Sequence, residues 1–402
     1  MSSRGHRRFH LTLRYCFGPA AVLIANLLWV LAESRLASLL HKNSGLEEKS
    51  ATWLLTCGAH LGRQVELEGR GVPDDAILQS IAGRLTHFAK DPQAGIAILE
   101  TAGAVNSPGP SGRGQADLLR SLRLPGFLVG DGRLGGIAAT LSALESLLLR
   151  GLDVSAIVMI DSGLRNDQHV RERVKNEAYT CASGRTIPVV VLPPLPKAKG
   201  KAAFDGLSSW TTESEQKLRR LKDILLDDHA TRLARLVAAE DEARKSLWWP
   251  FTQHDSVDKV TVIDSRHGED WMVMEEPGVL TRLFDGPASW WTQGMTLEQA
   301  PAVTRAMAYA SGRYGHVLFP ETVSQPALAL AHRLLDGPGK GWATRVFYSD
   351  DGSTAVEVAI KMAFRKYMAD HGLMDKSEEE LAKLSFSILG KLSRIYLKHA
   401  TL

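Results

Sequence analysis

The chain has 402 residues, 44% of them hydrophobic, with 48 Lys and Arg against 45 Asp and Glu. That is enough apolar chain for two globular cores, while a net charge of +3 without an arginine-aromatic stripe excludes a nucleic-acid partner. Cys16, Cys57 and Cys181 are too few and too far apart for a disulfide framework, and His254, His267 and His316 lack zinc-ligand spacing, so a reducing compartment without a structural metal is expected.

The first 32 residues carry Arg4, Arg7, Arg8 and Arg14 and no acid before Glu33, the composition of a mitochondrial presequence. A competing reading takes residues 17–32 as a secretory or anchoring segment. That run is shorter than the roughly 20 residues that span a bilayer, and Asn26 interrupts it, so no membrane span is expected. Further on, residues 95–100, 126–131, 154–161 and 186–193 are short, nearly continuous apolar runs, the pattern of strands buried on both faces. Residues 134–150 between two of them read as a crossover helix, which makes a wound α/β sheet the expected fold.

Two ligand signals sit at strand ends, where open α/β sheets place their ligands. Glu100 ends a strand and flexible turns follow at once, which suits magnesium with its taste for one or two carboxylates plus phosphate oxygens; the plain alternative is a solvated strand-end charge. Gly130, Gly132 and Gly135 fit G-x-G-x-x-G between a strand and a helix, and an NAD-binding Rossmann-type site there is a further alternative. Residues 212–246 read as a charge-laced helix with a solvated face, and the domain junction is expected at 239–247.

Residues 345–367 read as a strand entering a Gly-Ser turn that opens a helix, with Val356, Ala359, Ile360, Ala363, Phe364 and Tyr367 on one stripe and Glu357, Lys361 and Arg365 opposite. Unpaired amides and the positive dipole end would let Gly352 and Ser353 seat a phosphate. Serving only as a turn residue and an N-cap is the competing account.

These pieces, with Trp248-Trp-Pro-Phe-Thr-Gln-His254, Asp264-Ser-Arg-His-Gly-Glu-Asp270, Asp285-Gly-Pro-Ala-Ser-Trp-Trp-Thr-Gln-Gly294 and Gly315-His-Val-Leu-Phe-Pro320, resemble the class III pyridoxal-phosphate aminotransferases that make 7,8-diaminononanoate (DAPA). The upstream half, through Glu100-Thr-Ala-Gly and residues 130–136, resembles dethiobiotin synthetase in the form fused to that aminotransferase in plants. The resemblance runs from near His60 to near Glu380. It implies a P-loop-type wound parallel sheet followed by the N-terminal part of a fold-type I aminotransferase, laid out as a leader (1–56), a partial synthetase-like domain (57–240), an aminotransferase fragment (247–380) and a divergent tail (381–402).

By the same resemblance, Gly352 and Ser353 would hold the phosphate of pyridoxal phosphate, and Trp290 and Trp291 would contact 8-amino-7-oxononanoate; the bland reading makes Trp248, Trp249, Trp290 and Trp291 core aromatics. Glu100 would ligate Mg2+, and Thr101, Ala102 and Gly103 would lie against ATP. A mitochondrial homodimer acting in biotin synthesis is implied. The G-x-x-x-x-G-K-[ST] loop and a strand-end lysine for a Schiff base are expected in such proteins and are not found in these 402 residues, so a truncated, non-catalytic form stands as an alternative.

Overall fold

The computed structural model describes residues 15–16, 21–27, 53–56, 73–89, 96–101, 104–109, 111–194, 201–250, 252–268, 270–286, 300–315 and 321–376. The strands are β1 (Tyr15–Cys16), β2 (Ala21–Leu27), β3 (Trp53–Thr56), β4 (Ile96–Glu100), β5 (Gly126–Gly130), β6 (Val154–Ile160), β7 (Val189–Leu192), β8 (Val262–His267), β9 (Asp270–Glu276) and β10 (Val279–Phe284). The helices are α1 (Asp74–Ala89), α2 (Gln115–Leu119), α3 (Gly136–Leu148), α4 (Asn166–Asn176), α5 (Lys201–Ser246), α6 (Ala300–Tyr314), α7 (Gln325–Asp336) and α8 (Gly352–Asp370). The chain divides into two compact units, Met1–Ala308 and Tyr309–Leu402.

The first unit is built on a parallel sheet of order β3-β4-β2-β5-β6-β7. Side chains alternate across a strand, and here both faces are covered. Phe127, Val129, Ala156, Val158, Val190 and Leu192 pack against Trp210, Leu218, Leu221 and Leu225 of α5. Leu128, Ile157, Met159 and Val189 face α3 and α4 through Ala143, Leu144, Leu147, Val170 and Val174. Because neither face meets water, the strands are continuous apolar runs, as the sequence pattern implies. The run at 186–193 shortens to Val189–Leu192: Pro188 has no N–H to give a ladder, although its carbonyl accepts from Ile157 N at 2.9 Å.

Three expectations change. One concerns the sheet, which also takes strands that the apolar-run pattern did not give, β2 and β3 within residues 1–56; β2 is interior, pairing in parallel with β4 (Ala25 opposite Glu100) and β5 (Ile24 opposite Gly126). The helix expected from residue 212 begins at Lys201 and runs unbroken to Ser246, through all but the last residue of the stretch expected to hold the domain junction. Its charges are not all on a solvated face, since Asp228 and Arg232 are buried.

A second, antiparallel sheet of order β1-β10-β9-β8 belongs to the same unit. In the second unit, the stretch before α8 pairs with no strand among the described residues, so the strand expected to open residues 345–367 is instead irregular chain. The stripe on α8 forms as spaced but stays open, with Val356, Ile360 and Tyr367 exposed, while Glu357 and Lys361 pair one helical turn apart at 2.8 Å.

Candidate functional site

The chain leaves β2 toward β3 and β4 on one side and later crosses to β5 and β6 on the other. In wound sheets ligands bind at such a reversal, outside the carboxyl ends of the strands. Leu27 at the end of β2, the 130–136 loop after β5 and Asp161 after β6 lie there. The Glu100–Thr101 end of β4 does not reach them: Glu100 and Phe127 both stand opposite Ala25 of β2, so β4 ends level with the start of β5, three residues short of Gly130.

Their side chains are engaged differently from expectation. Thr101 is buried, lining a small apolar cavity with Leu119, Leu124, Phe127 and Leu152. Ala102 and Gly103 lie outside the described residues, as does the Glu100 side chain. The described residues hold no cluster of three metal-ligating side chains, and no described helix is long and apolar enough to cross a membrane.

Gly130 and Gly132 are explained by packing, and Gly135 by its left-handed φ of 85°. A Cβ on Gly130 would lie 2.3 Å from the Met159 sulfur, and one on Gly132 2.3 Å from the Ile160 carbonyl oxygen. Three amides of the 130–136 loop are engaged within the protein: Asp131 N donates to Thr140 Oγ1 (3.0 Å), Arg133 N to Asp131 Oδ1 (2.9 Å) and Gly136 N to Arg133 O (2.9 Å). Asn166 Nδ2 bridges the carbonyls of Asp131 and Arg133, and Ser162 donates to Gly132 O. The Arg133 guanidinium, forked onto Asp131, holds that carboxyl below its ordinary range.

The start of α8 is the reverse case. A Cβ on Gly352 would meet nothing within 4 Å, and Gly352 and Ser353 are both exposed. Neither packing nor a positive φ asks for glycine there. The helix is capped by Asp351, a residue that sequence reasoning passed over although Asp before Gly-Ser-Thr is an N-cap signal. Its carboxylate accepts from Thr354 N at 2.8 Å and Thr354 Oγ1 at 2.7 Å, and these contacts with the Ser353 amide hold it below the usual carboxylate range.

Trp290, Trp291 and residues 316–320 lie outside the described residues. Of the other tryptophan pair, Trp248 is 79% exposed, so it is no core aromatic. It stacks on His254, and the Trp249 ring tilts over the same imidazole with centroids 5.3 Å apart. His254 Nε2 also lies 3.1 Å from Trp249 N, the local hydrogen-bonding role expected of it.

No protein-family model matches the chain. A protein of Oryza sativa subsp. japonica described as a mitochondrial bifunctional dethiobiotin synthetase/7,8-diamino-pelargonic acid aminotransferase is 45% identical over 348 residues, or 84% of this chain and 40% of its own length. Its namesake in Arabidopsis thaliana is 44% identical over 337 residues, 82% of this chain and 39% of that protein. The chain is a homologue of these bifunctional proteins. It spans about two fifths of their length. An adenosylmethionine-8-amino-7-oxononanoate aminotransferase of Geobacter sulfurreducens, with no synthetase in its name, is 32% identical over only 139 residues, 34% of this chain and 29% of its own.

Sequence reasoning also missed a buried charge cluster. On α5, Asp228 Oδ2 accepts from Ser155 Oγ at 2.7 Å and Oδ1 from Ser183 N at 2.8 Å, and Arg232 Nε donates to Asp264 at 3.0 Å. Between them on the helix sits His229. Burial first, then the Arg232 charge, pushes the His229 pKa below its ordinary 6.5, against the pull of Asp228 and Asp264.

A depressed histidine pKa means that the unfolded chain binds the proton more readily. Stability is therefore intact above the unfolded value and is lost as pH falls through the folded one. Denaturation midpoints measured from about pH 7 to 5 are expected to fall, and His229→Gln to flatten that slope. An unchanged slope in the variant would assign the loss to other groups. Asp153, raised by burial against the pull of Arg123 and Arg232, acts with the opposite sign at lower pH.

Proposed function

We propose that this chain serves biotin synthesis, its parallel-sheet part taking the diamine, Mg2+ and ATP of dethiobiotin formation and its later part the pyridoxal phosphate and amino-oxononanoate of the preceding transamination. One observation carries the reading: the match to the fused proteins is more than twice as long as the match to the free-standing aminotransferase, so it extends through residues that an aminotransferase alone does not account for. In this reading Glu100, at the carboxyl end of β4, is the magnesium ligand and residues 101–103 lie toward ATP.

Pyridoxal phosphate, when bound, supplies the electron sink that lets an amino group move between substrates. The open backbone of Gly352 and Ser353 fits its phosphate, and the indole faces of Trp290 and Trp291 would cover the methylene chain of the substrate. We place the protein in the mitochondrion, after the names of its plant relatives, and as a homodimer.

A second reading, a binding chain without turnover, draws on specific contacts: Asp351 takes the Thr354 amide in the first turn of α8, and the Asp131, Arg133 and Gly136 amides of the 130–136 loop are engaged within the protein. Purified protein given the diamine, bicarbonate and Mg-ATP should bind the diamine and nucleotide saturably by calorimetry and release dethiobiotin and ADP. Binding without product selects the second reading, and no binding of either ligand defeats both.

A further inference from the structure

The described structure places a set of opposite charges where the parallel-sheet module meets the antiparallel sheet. Arg123, in the turn before β5, is fixed by the Asp153 carboxylate (2.9 Å) and the Gly151 carbonyl (2.7 Å), both at the entry to β6. Its Nε lies 3.7 Å from Asp264 Oδ2 on β8. The other oxygen of Asp264 takes Nε and Nη2 of Arg232 on α5, and the Asp264 side chain is only 3% exposed. One carboxylate is thus held from two sides by guanidiniums that belong to the parallel-sheet module. The desolvation of Asp264 is offset by its two partners, which hold its pKa below the ordinary carboxylate value.

The same seam is tied farther along α5. Glu240 accepts from Val260 N at 3.0 Å, and Arg244 donates to the carbonyls of Val257 and Asp258. A helix that packs Trp210, Leu218, Leu221 and Leu225 into the parallel-sheet core therefore carries, on its later turns, the segment leading into β8. Modules joined by a flexible linker move independently unless their interface is extensive. Here no linker exists among residues 201–246, and the seam is held by buried charge.

We propose that Arg123, Asp264 and Arg232 form a charge lock that docks the antiparallel sheet on the parallel-sheet module, so that residues on both sides of the 240–247 boundary open as one cooperative body. The lock belongs to the fold and does not depend on the proposed function. It fixes the first strands of the aminotransferase-like part to the synthetase-like part instead of tethering them.

Full-length protein is compared with Asp264→Asn, which keeps shape but removes charge, Asp264→Ala, and the exchanged pair Arg232→Asp with Asp264→Arg, by hydrogen exchange and thermal unfolding. Under the lock, the parent shows one transition for this unit. Each single variant raises amide exchange roughly ten-fold or more both in β8–β10 and in β6 across the seam, and the exchanged pair recovers part of that protection. Exchange that rises in β8–β10 alone, a parent in which β8–β10 melts separately from β6, or single variants indistinguishable from the parent would overturn the proposal. If Asp264→Ala does not fold, Asp264→Asn and the exchanged pair still decide it.

Discussion

Gly136→Ala is expected to lower stability by about 3–5 kcal/mol, as crowding of a packed site combines with the loss of hydrogen bonds around it. The added methyl would lie 1.9 Å from the Asp131 carbonyl oxygen, a backbone atom, and 3.1 Å from Asn166 Nδ2. Neither can yield cheaply. Asn166 is the side chain that joins the Asp131 and Arg133 carbonyls, at 3.2 and 2.8 Å, and so pins the turn between β5 and α3. Pushing Asp131 outward also pulls its amide from Thr140 Oγ1, which is buried.

Because native stability is only about 5–15 kcal/mol, a loss of that size should appear as a large fall in urea midpoint. The control is Gly352→Ala. That site has open space, and alanine in a helix is favoured over glycine by roughly 0.5–1 kcal/mol, so its midpoint should hold or rise. Equal behaviour of the two variants would remove the distinction between a packing glycine and one in open space.

That distinction marks how far the sequence can be read. Both glycine sites carry a phosphate-loop appearance, because a glycine is compatible equally with a tight tertiary contact and with a ligand, and only coordinates tell which neighbour comes close. The strands at 95–100, 126–131 and 154–161 were legible because parallel strands covered on both faces need apolar residues at every position, a signal that survives in one sequence. The role of β2 was not. An apolar run after an arginine-rich start satisfies the rules for a targeting segment and for an interior strand alike, and its partners, β4 and β5, are more than 70 residues away in the chain.

The charges of α5 show the same limit. Along a helix of 46 residues, most charged side chains do face water, and nothing local separates Asp228 and Arg232 from their exposed neighbours Asp227 and Arg235. What selects them is the seam they face. Ser155 is a small polar residue inside an otherwise apolar strand, and it was the available signal that a partner waits across the sheet face.

Asp228→Ala should be as damaging as the glycine change, at about 3–5 kcal/mol, the cost of breaking a buried charged contact from one side. Asp228 is fully buried. Its loss strands the Ser155 hydroxyl and the Ser183 amide, each of which loses its carboxylate acceptor at 2.7–2.8 Å. Burial alone would raise the Asp228 pKa, yet the hydrogen bonds from Ser155, Cys181 and Ser183 outweigh it and hold the carboxyl below 3.8. By linkage, that contribution is present above the unfolded value and disappears as pH falls through the folded one.

The acid limb of the stability profile should therefore flatten in the variant, whereas the limb assigned to His229 should deepen, because the Asp228 charge that opposes its depressed pKa is gone. Asp228→Asn retains one acceptor oxygen and should lose about half as much. Pairing Asp228→Ala with Ser155→Ala should cost less than the two changes summed, since the second removes a donor that the first has already left without its acceptor. Strict additivity, or an Asp228→Ala midpoint equal to that of the parent, would show that the contact between α5 and β6 is decorative and that the apolar core of Phe127, Val158 and Leu221 holds the helix by itself.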